Sequence, residues 1–216
     1  MNELEKLIFM LSGLPATFAI SILSFFLGFC IGLPLAFARV YASKPFQTLV
    51  EGYEKVFRGI PEIVLMMLFY YGLKSIIPLF KSPFFSATFA LGLRSGANQS
   101  QIFRAAIRGV KEEQMMAATS LGLTRLQAIF YVMIPQTFIV ATPGLGSEYA
   151  LLIKDSSYAF VLGVVEMMRR TYTVMRLTYD PVFPFFASAF LYVMITFPIA
   201  TYLDKWASRK KKQLGI

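Results

Sequence analysis

Residues 11–38 read LSGLPATFAISILSFFLGFCIGLPLAFA, without one Asp, Glu, Lys or Arg, and the run ends at Arg39. A helix crosses a bilayer with roughly 20 mostly apolar residues, so this stretch is long enough to span. It reads as a retained span. A cleaved signal has a basic start, an apolar run of about 7–15 residues and a small-residue cleavage site. Here Glu3, Glu5 and Lys6 come first, the run is too long, and the basic residues follow it. Gly28 and Gly32 form a small-xxx-small pattern suited to close helix packing.

Four further apolar runs lie downstream, at about 60–80, 84–107, 128–153 and 183–203. The second run of the chain carries one acid, Glu62, near its start. The third is the least apolar, with Arg94, Asn98, Gln99 and Gln101 inside it. Pro135, Pro143, Gly144 and Gly146 interrupt the fourth, which predicts a broken helix. Tyr158–Tyr179 is apolar in part but holds Glu166, Arg169, Arg170 and Arg176. It reads as an interfacial amphipathic segment, with a sixth span as the other reading. The expected fold is all-α: a polytopic membrane protein, one domain over residues 1–216 with five transmembrane helices.

Composition agrees. The 216 residues are 56% hydrophobic and 15% charged, with a mean hydropathy of +0.61. A soluble domain carries roughly a quarter charged residues, and a disordered chain has the opposite bias. One cysteine, Cys30, excludes a disulfide framework and a Cys-based zinc site. With no histidine, His-ligated metal and His acid–base catalysis are excluded. No catalytic residue, metal or cofactor is expected. The net charge of +9 is spread between long apolar runs, which argues against nucleic acid and for lipid or partner subunits.

Five spans place the termini on opposite sides, and the Lys/Arg bias orients them. One set of loops holds Arg39, Lys44, Lys55, Arg58, Arg104, Arg108, Lys111, Arg125, Lys205 and the Arg209–Lys212 cluster. The other holds Lys6, Lys74, Lys81, Lys154, Arg169, Arg170 and Arg176. The first set is about twice as basic and is expected in the cytoplasm, with the N-terminus outside.

The loop between the third and fourth runs is the most informative. Glu112–Ser120 is built of good helix formers. Gly122 follows as a stop, and Thr124 with Gln127 is a capping-box pattern that opens the next helix. The spacing predicts a helix–turn–helix hairpin over 111–125, with Ala117 and Ala118 small enough for another protein to approach closely.

This loop resembles that of the inner-membrane permeases of binding-protein-dependent ABC importers. Their loop reads Glu-Ala-Ala, three residues, Gly, nine residues, Ile, one residue, Leu-Pro. Here Met116-Ala117-Ala118, Gly122, Val132, Ile134 and Pro135 stand at those spacings, with Met116 in place of the Glu. Other stretches are similar to the polar amino-acid permeases of that family (histidine, glutamate, glutamine, arginine). They are Gly13–Phe18, Arg58-Gly59-Ile60-Pro61, Gln114, Pro135-Gln136 and Glu148–Ser157. Gln101 stands where the family usually has Glu.

The resemblance implies a MetI-like permease fold in the inner membrane. It implies two ATPase subunits, a second permease subunit, identical or similar, and an external substrate-binding protein. It makes the hairpin a coupling helix, with Glu113, Met116, Ala117, Ala118 and Gly122 meeting the ATPase. Glu112 is an alternative acid to Glu113. The chain lacks the Gly-rich Lys-Ser/Thr phosphate loop, so an ATPase partner would drive it.

Within the spans, Arg94, Asn98 and Gln101 fall at i, i+4 and i+7 and share one helix face. A charge there is costly and usually faces a cavity or partner. With Glu148 they form a candidate substrate site: Arg94 for a carboxylate, Glu148 for an ammonium. The alternative is that Arg94 and Glu148 pair with each other or with the second subunit. Glu62 is expected at the lipid headgroups rather than an inner gate. Lys154-Asp155-Ser156-Ser157 is expected to cap the fourth helix or to meet the binding protein. The alternatives to an amino-acid permease are a permease for an opine or organic anion, and an ATPase-independent channel or structural protein.

Overall fold

The computed structural model describes residues 2–110 and 112–214. Lys111, the first residue of the expected hairpin, lies outside the described residues. No strand occurs among those described.

Helix α1, Glu3–Leu11, opens on a capping box in which Asn2 Oδ1 accepts from the Glu5 amide at 2.8 Å. Helix α2 is Leu14–Tyr41. Its 28 residues extend about 42 Å at 1.5 Å per residue, more than a hydrocarbon core needs. Helix α3, Lys44–Gly59, and helix α4, Glu62–Met67, flank Ile60-Pro61. Ile60 is extended, with φ −89° and ψ 128°, because proline disfavours the helical conformation in the residue before it. A π-helical stretch, Leu68–Gly72, continues α4, and a 3₁₀ turn, Pro78–Lys81, leads to helix α5, Pro83–Gly109.

Helix α6, Glu112–Ser120, stops at Gly122 with φ +88°. Helix α7, Arg125–Ala128, begins with the Thr124–Gln127 capping box. A π-helical stretch, Ile129–Met133, joins it to helix α8, Ile134–Asp155. A 3₁₀ segment, Ser156–Leu162, follows, then helix α9, Met167–Thr178, and helix α10, Val182–Leu214. Three helical stretches, Glu3–Tyr41, Arg125–Leu162 and Val182–Lys210, are long and apolar enough to cross a membrane.

Helix α5 is the hub. Helix α2 crosses it closely, α8 packs on another side between α5 and α10, and α3 and α4 line a third. The crossing with α2 depends on missing side chains. A Cβ at Gly28 would fall 2.8 Å from Ser95, and one at Gly32 would fall 2.9 Å from the Gly96 carbonyl oxygen. Without a strong hydrophobic drive between helices in lipid, such close backbone approach supplies the packing.

Two apolar clusters form along α5. One gathers Leu65, Met66, Ala87, Leu91 and Leu162, the other Ala36, Phe103, Ile107, Met133 and Ala141. The residues of α5 between them, 94–101, are mostly polar. Large apolar side chains on α10, Phe186, Phe190, Met194 and Phe197, point outward with helical spacing. That inverts the soluble pattern and suits lipid.

Two sequence expectations change. The helix over 60–80 is confined to Glu62–Gly72, since Gly72 and Pro78 interrupt it. Its place along α5 is completed by α3, whose Tyr53 hydroxyl donates to the Leu93 carbonyl at 2.7 Å. The fourth helix is unbroken at Pro143. Gly144 and Gly146 serve close packing there: Cβ atoms would fall 2.7 Å from Ile102 and 2.9 Å from Leu203. Neighbouring helices on both sides make a proline inside the helix tolerable.

Candidate functional site: a polar cleft midway along α5

The polar belt of α5 meets charged residues from three other segments. Helix α3 ends in Arg58 and α4 begins with Glu62, so the Ile60-Pro61 break sets opposite charges on either side of one bend. Arg58 Nε donates to Asn98 Oδ1 at 3.0 Å, and Asn98 Nδ2 donates to Glu148 Oε2 at 3.1 Å. One amide thus bridges a guanidinium and a carboxylate. Glu148 is 5% exposed, while Arg58 stands open at the rim.

These residues, with Gln101, Gly144 and Ser147, line a cleft of about 360 Å³. It holds a guanidinium and a buried carboxyl group at opposite ends of a donor–acceptor chain. Such a cleft can take a small zwitterion: Arg58 offers a carboxylate a fork of N–H donors, and Glu148 accepts from an ammonium.

Three of the four sequence-derived substrate residues, Asn98, Gln101 and Glu148, line this cleft. Arg94 is held elsewhere. It pairs with Glu62 at 2.5 Å and with Asp155 at 3.5 Å, tying α5 to α4 and α8. In place of the alternative direct pairing with Glu148, Arg94 meets these two acids. Glu62 therefore lies beside the middle of α5 instead of at headgroups. Asp155 likewise turns inward, and Ser156 donates locally to the Ile153 carbonyl at 2.7 Å. Lys154 remains exposed.

Sequence reasoning missed Glu54. It is 2% exposed and accepts from Ser100 Oγ at 2.7 Å and from Gln101 Nε2 at 3.3 Å. In the sequence Arg58 stands out only as part of a basic loop and of the Arg58-Gly59-Ile60-Pro61 motif. The available signal was the spacing of Val50, Tyr53 and Phe57, an apolar helix face that runs directly into this pair.

At one end of the molecule, the hairpin carries the residues assigned to ATPase contact. Glu113, Met116 and Ala117 are exposed, and Gly122 sits at the turn. Ala118 differs from expectation: at 4% exposure it packs into the chain's own interior, leaving Ala117 as the small residue on the open face. Gln136 Nε2 donates to Gln114 Oε1 at 3.4 Å, linking the hairpin to α8. Met116 also lines a cavity of about 650 Å³ with Tyr41, Arg108, Met115 and Met133.

Known proteins resemble the chain over most of its length. The arginine transport system permease protein ArtQ of Bacillus subtilis is 31% identical over 204 residues, covering 94% of this chain and 93% of the relative. The octopine transport system permease protein OccQ of Rhizobium radiobacter is 31% identical over 199 residues, covering 87% and 84%. The crystal structure of an amino acid ABC transporter with histidines superposes with a TM-score of 0.80 at 31% identity, over 93% of this chain and 94% of the other. An inward-facing MetNI methionine ABC transporter shares the fold, with a TM-score of 0.81 at 18% identity over 93% and 95%. The family model of the binding-protein-dependent transport system inner membrane component matches residues 28–212. On this evidence the chain belongs to the family of inner-membrane components of binding-protein-dependent transport systems.

Proposed function

We propose that this chain is the permease subunit of an ATP-driven importer for a polar amino acid, with the cleft along α5 as its substrate site. The observation that carries this is the Arg58–Asn98–Glu148 chain, which sets a guanidinium and a carboxyl group around a space of amino-acid size. The substrate carboxylate meets Arg58, its ammonium meets Glu148, and Asn98 and Gln101 orient it. Arg94 holds the walls together through Glu62 and Asp155. The arginine permease and the amino acid transporter among the relatives support this class.

The chain crosses the membrane five times, through α2, the α3–α4 pair, α5, α8 and α10, with the N-terminus outside and the C-terminus in the cytoplasm. It works with a second permease subunit, two ATPase subunits and an external binding protein. The 111–125 hairpin couples to the ATPase through Glu113, Met116, Ala117 and Gly122, with Ala118 setting its seat. Closure of the ATPases on ATP turns the cleft outward, and hydrolysis returns it. Docking of the loaded binding protein outside favours the state that the ATPases favour inside, by reciprocal linkage.

An opine permease is the second reading, favoured by the octopine permease at equal identity. A free-standing channel does not fit a family defined by dependence on a binding protein.

The test is uptake in the assembled transporter with Arg58→Gln and Glu148→Gln. Loss of about tenfold or more in uptake efficiency is expected from removing one charged partner, with assembly unchanged. Unaltered uptake kinetics in an intact complex overturns the site. Solute binding to the cognate external protein separates an amino acid from an opine.

A further inference from the structure

Helix α9 carries Arg169, Arg170 and Arg176, and no acid, in the sequence MMRRTYTVMRLT. This is the side of the chain on which basic residues are sparse, where the bias against external Lys and Arg is strongest. Three arginines within eight positions are therefore a local exception.

The acids beside this helix are committed elsewhere. Glu166 is fully buried and accepts from the Met168 and Arg169 amides at 2.7 and 2.6 Å, and from the Tyr192 hydroxyl at 3.3 Å. Asp180 accepts from the Val182 amide at 2.9 Å. Of the three cations, Arg170 turns inward over the Phe9 ring at 4.7 Å. Arg169 and Arg176 have no acidic partner among the described residues. They stand two turns apart on one face and, with Tyr172, Thr173 and Leu177, line a recess of about 240 Å³.

The helix is firmly seated. The Met167 amide donates to Thr17 Oγ1 at 3.2 Å, and a Cβ at Gly13 would fall 2.5 Å from the backbone of Met167. Two guanidinium groups without an acidic partner among the described residues, flanking a tyrosine on a seated helix, have the composition of a protein interface, where Arg and Tyr are enriched.

We propose that the Arg169–Arg176 face of α9 docks an acidic surface of the external binding protein. The assignment rests on the topology proposed above, which sets α9 outside. Carboxylates on the partner complete the guanidinium forks, steer the encounter, and make it sensitive to salt.

The experiment reconstitutes the chain with its ATPase in nanodiscs of phosphatidylcholine, with and without phosphatidylglycerol. ATPase activity is titrated with loaded binding protein. Arg169→Gln with Arg176→Gln is expected to raise the half-saturating concentration about tenfold, to flatten its salt dependence, and to leave the saturated rate near wild type. Arg169→Lys with Arg176→Lys keeps the charge and recovers part of the shift. An unchanged half-saturating concentration overturns the proposal. So does a variant that loses only its response to phosphatidylglycerol, which assigns the face to lipid. Tyr179→Cys, at the 92% exposed end of α9, reports the topology separately: labelling only from the ATPase side overturns the orientation itself.

Discussion

Helix α5 has two faces that solve opposite problems. Toward α2 it offers Gly92, Ser95, Gly96 and Gln99, and the two backbones meet at van der Waals distance. Toward α3, α4 and α8 it offers Arg94, Asn98 and Gln101, which meet charged side chains around open space. The first face is tight, small and chemically quiet. The second is held apart by long polar side chains and keeps a cleft. One helix is thus both scaffold and cleft wall, and the scaffold face lets the cleft face hold polar side chains in an apolar setting. In lipid a polar group without a partner is costly, and on this face Arg94, Asn98 and Gln101 each meet a polar or charged side chain of another helix.

The comparison breaks most severely at Arg94. Arg94→Gln leaves Glu62 and Asp155 facing each other without their cation. Removing one partner of a fully buried pair costs about 3–5 kcal/mol, and these half-buried groups fall toward the lower end of that range. The expected outcome is a sharp fall in thermal stability of the purified permease, and one that Arg94→Lys relieves in part.

Next comes the scaffold face. Gly32→Val puts a branched side chain against the Gly96 carbonyl oxygen and Gln99. Overpacking of this kind costs about 1–3 kcal/mol, and neither backbone can retreat easily. The measurement is again thermal unfolding, with Gly52→Val as the control, since a Cβ there meets nothing within 4 Å. Equal losses in the two variants would refute the tight crossing.

The smallest effect separates the membrane helices from the layer outside them. Burial pushes the Glu166 carboxyl up from 4.5 to about 7, and the two backbone amides and Tyr192 offset only part of that. A carboxyl raised in the folded state binds more protons there than when unfolded. Stability from this group is therefore present at low pH and declines as pH rises through about 4.5 to 7. Hydrogen exchange in α9 is expected to be faster at pH 8 than at pH 5.5, after correction for intrinsic rates. Glu166→Gln removes that pH dependence.

Much of this architecture was legible in the residues. The i, i+4, i+7 spacing of Arg94, Asn98 and Gln101 marked the polar face of α5. The hairpin was legible in detail, because a left-handed Gly122 and a Thr124–Gln127 capping box act within a few residues. Helix α3 was not. Its mean composition is that of a surface helix, and the burial of Glu54 exists only because Ser100 and Gln101 of α5 meet it. Pro143 misled for a similar reason. A proline with two nearby glycines signals a break when viewed locally, yet Ile102 and Leu203 close around those glycines and the helix continues.

The sequence by itself determined most of the long apolar helices, the turn at Gly122, and the spaced motif that marks the family. Those features are written in neighbouring residues, because backbone preference and amphipathic period act over one or two turns. Only the tertiary structure decided which charge meets which: Arg94 with Glu62 and Asp155, Arg58 with Asn98, Asn98 with Glu148. Partner choice between ions depends on which helices are brought within a few ångströms. That is set by the shape of the α2–α5 crossing and the bend at Pro61, and no local pattern contains it.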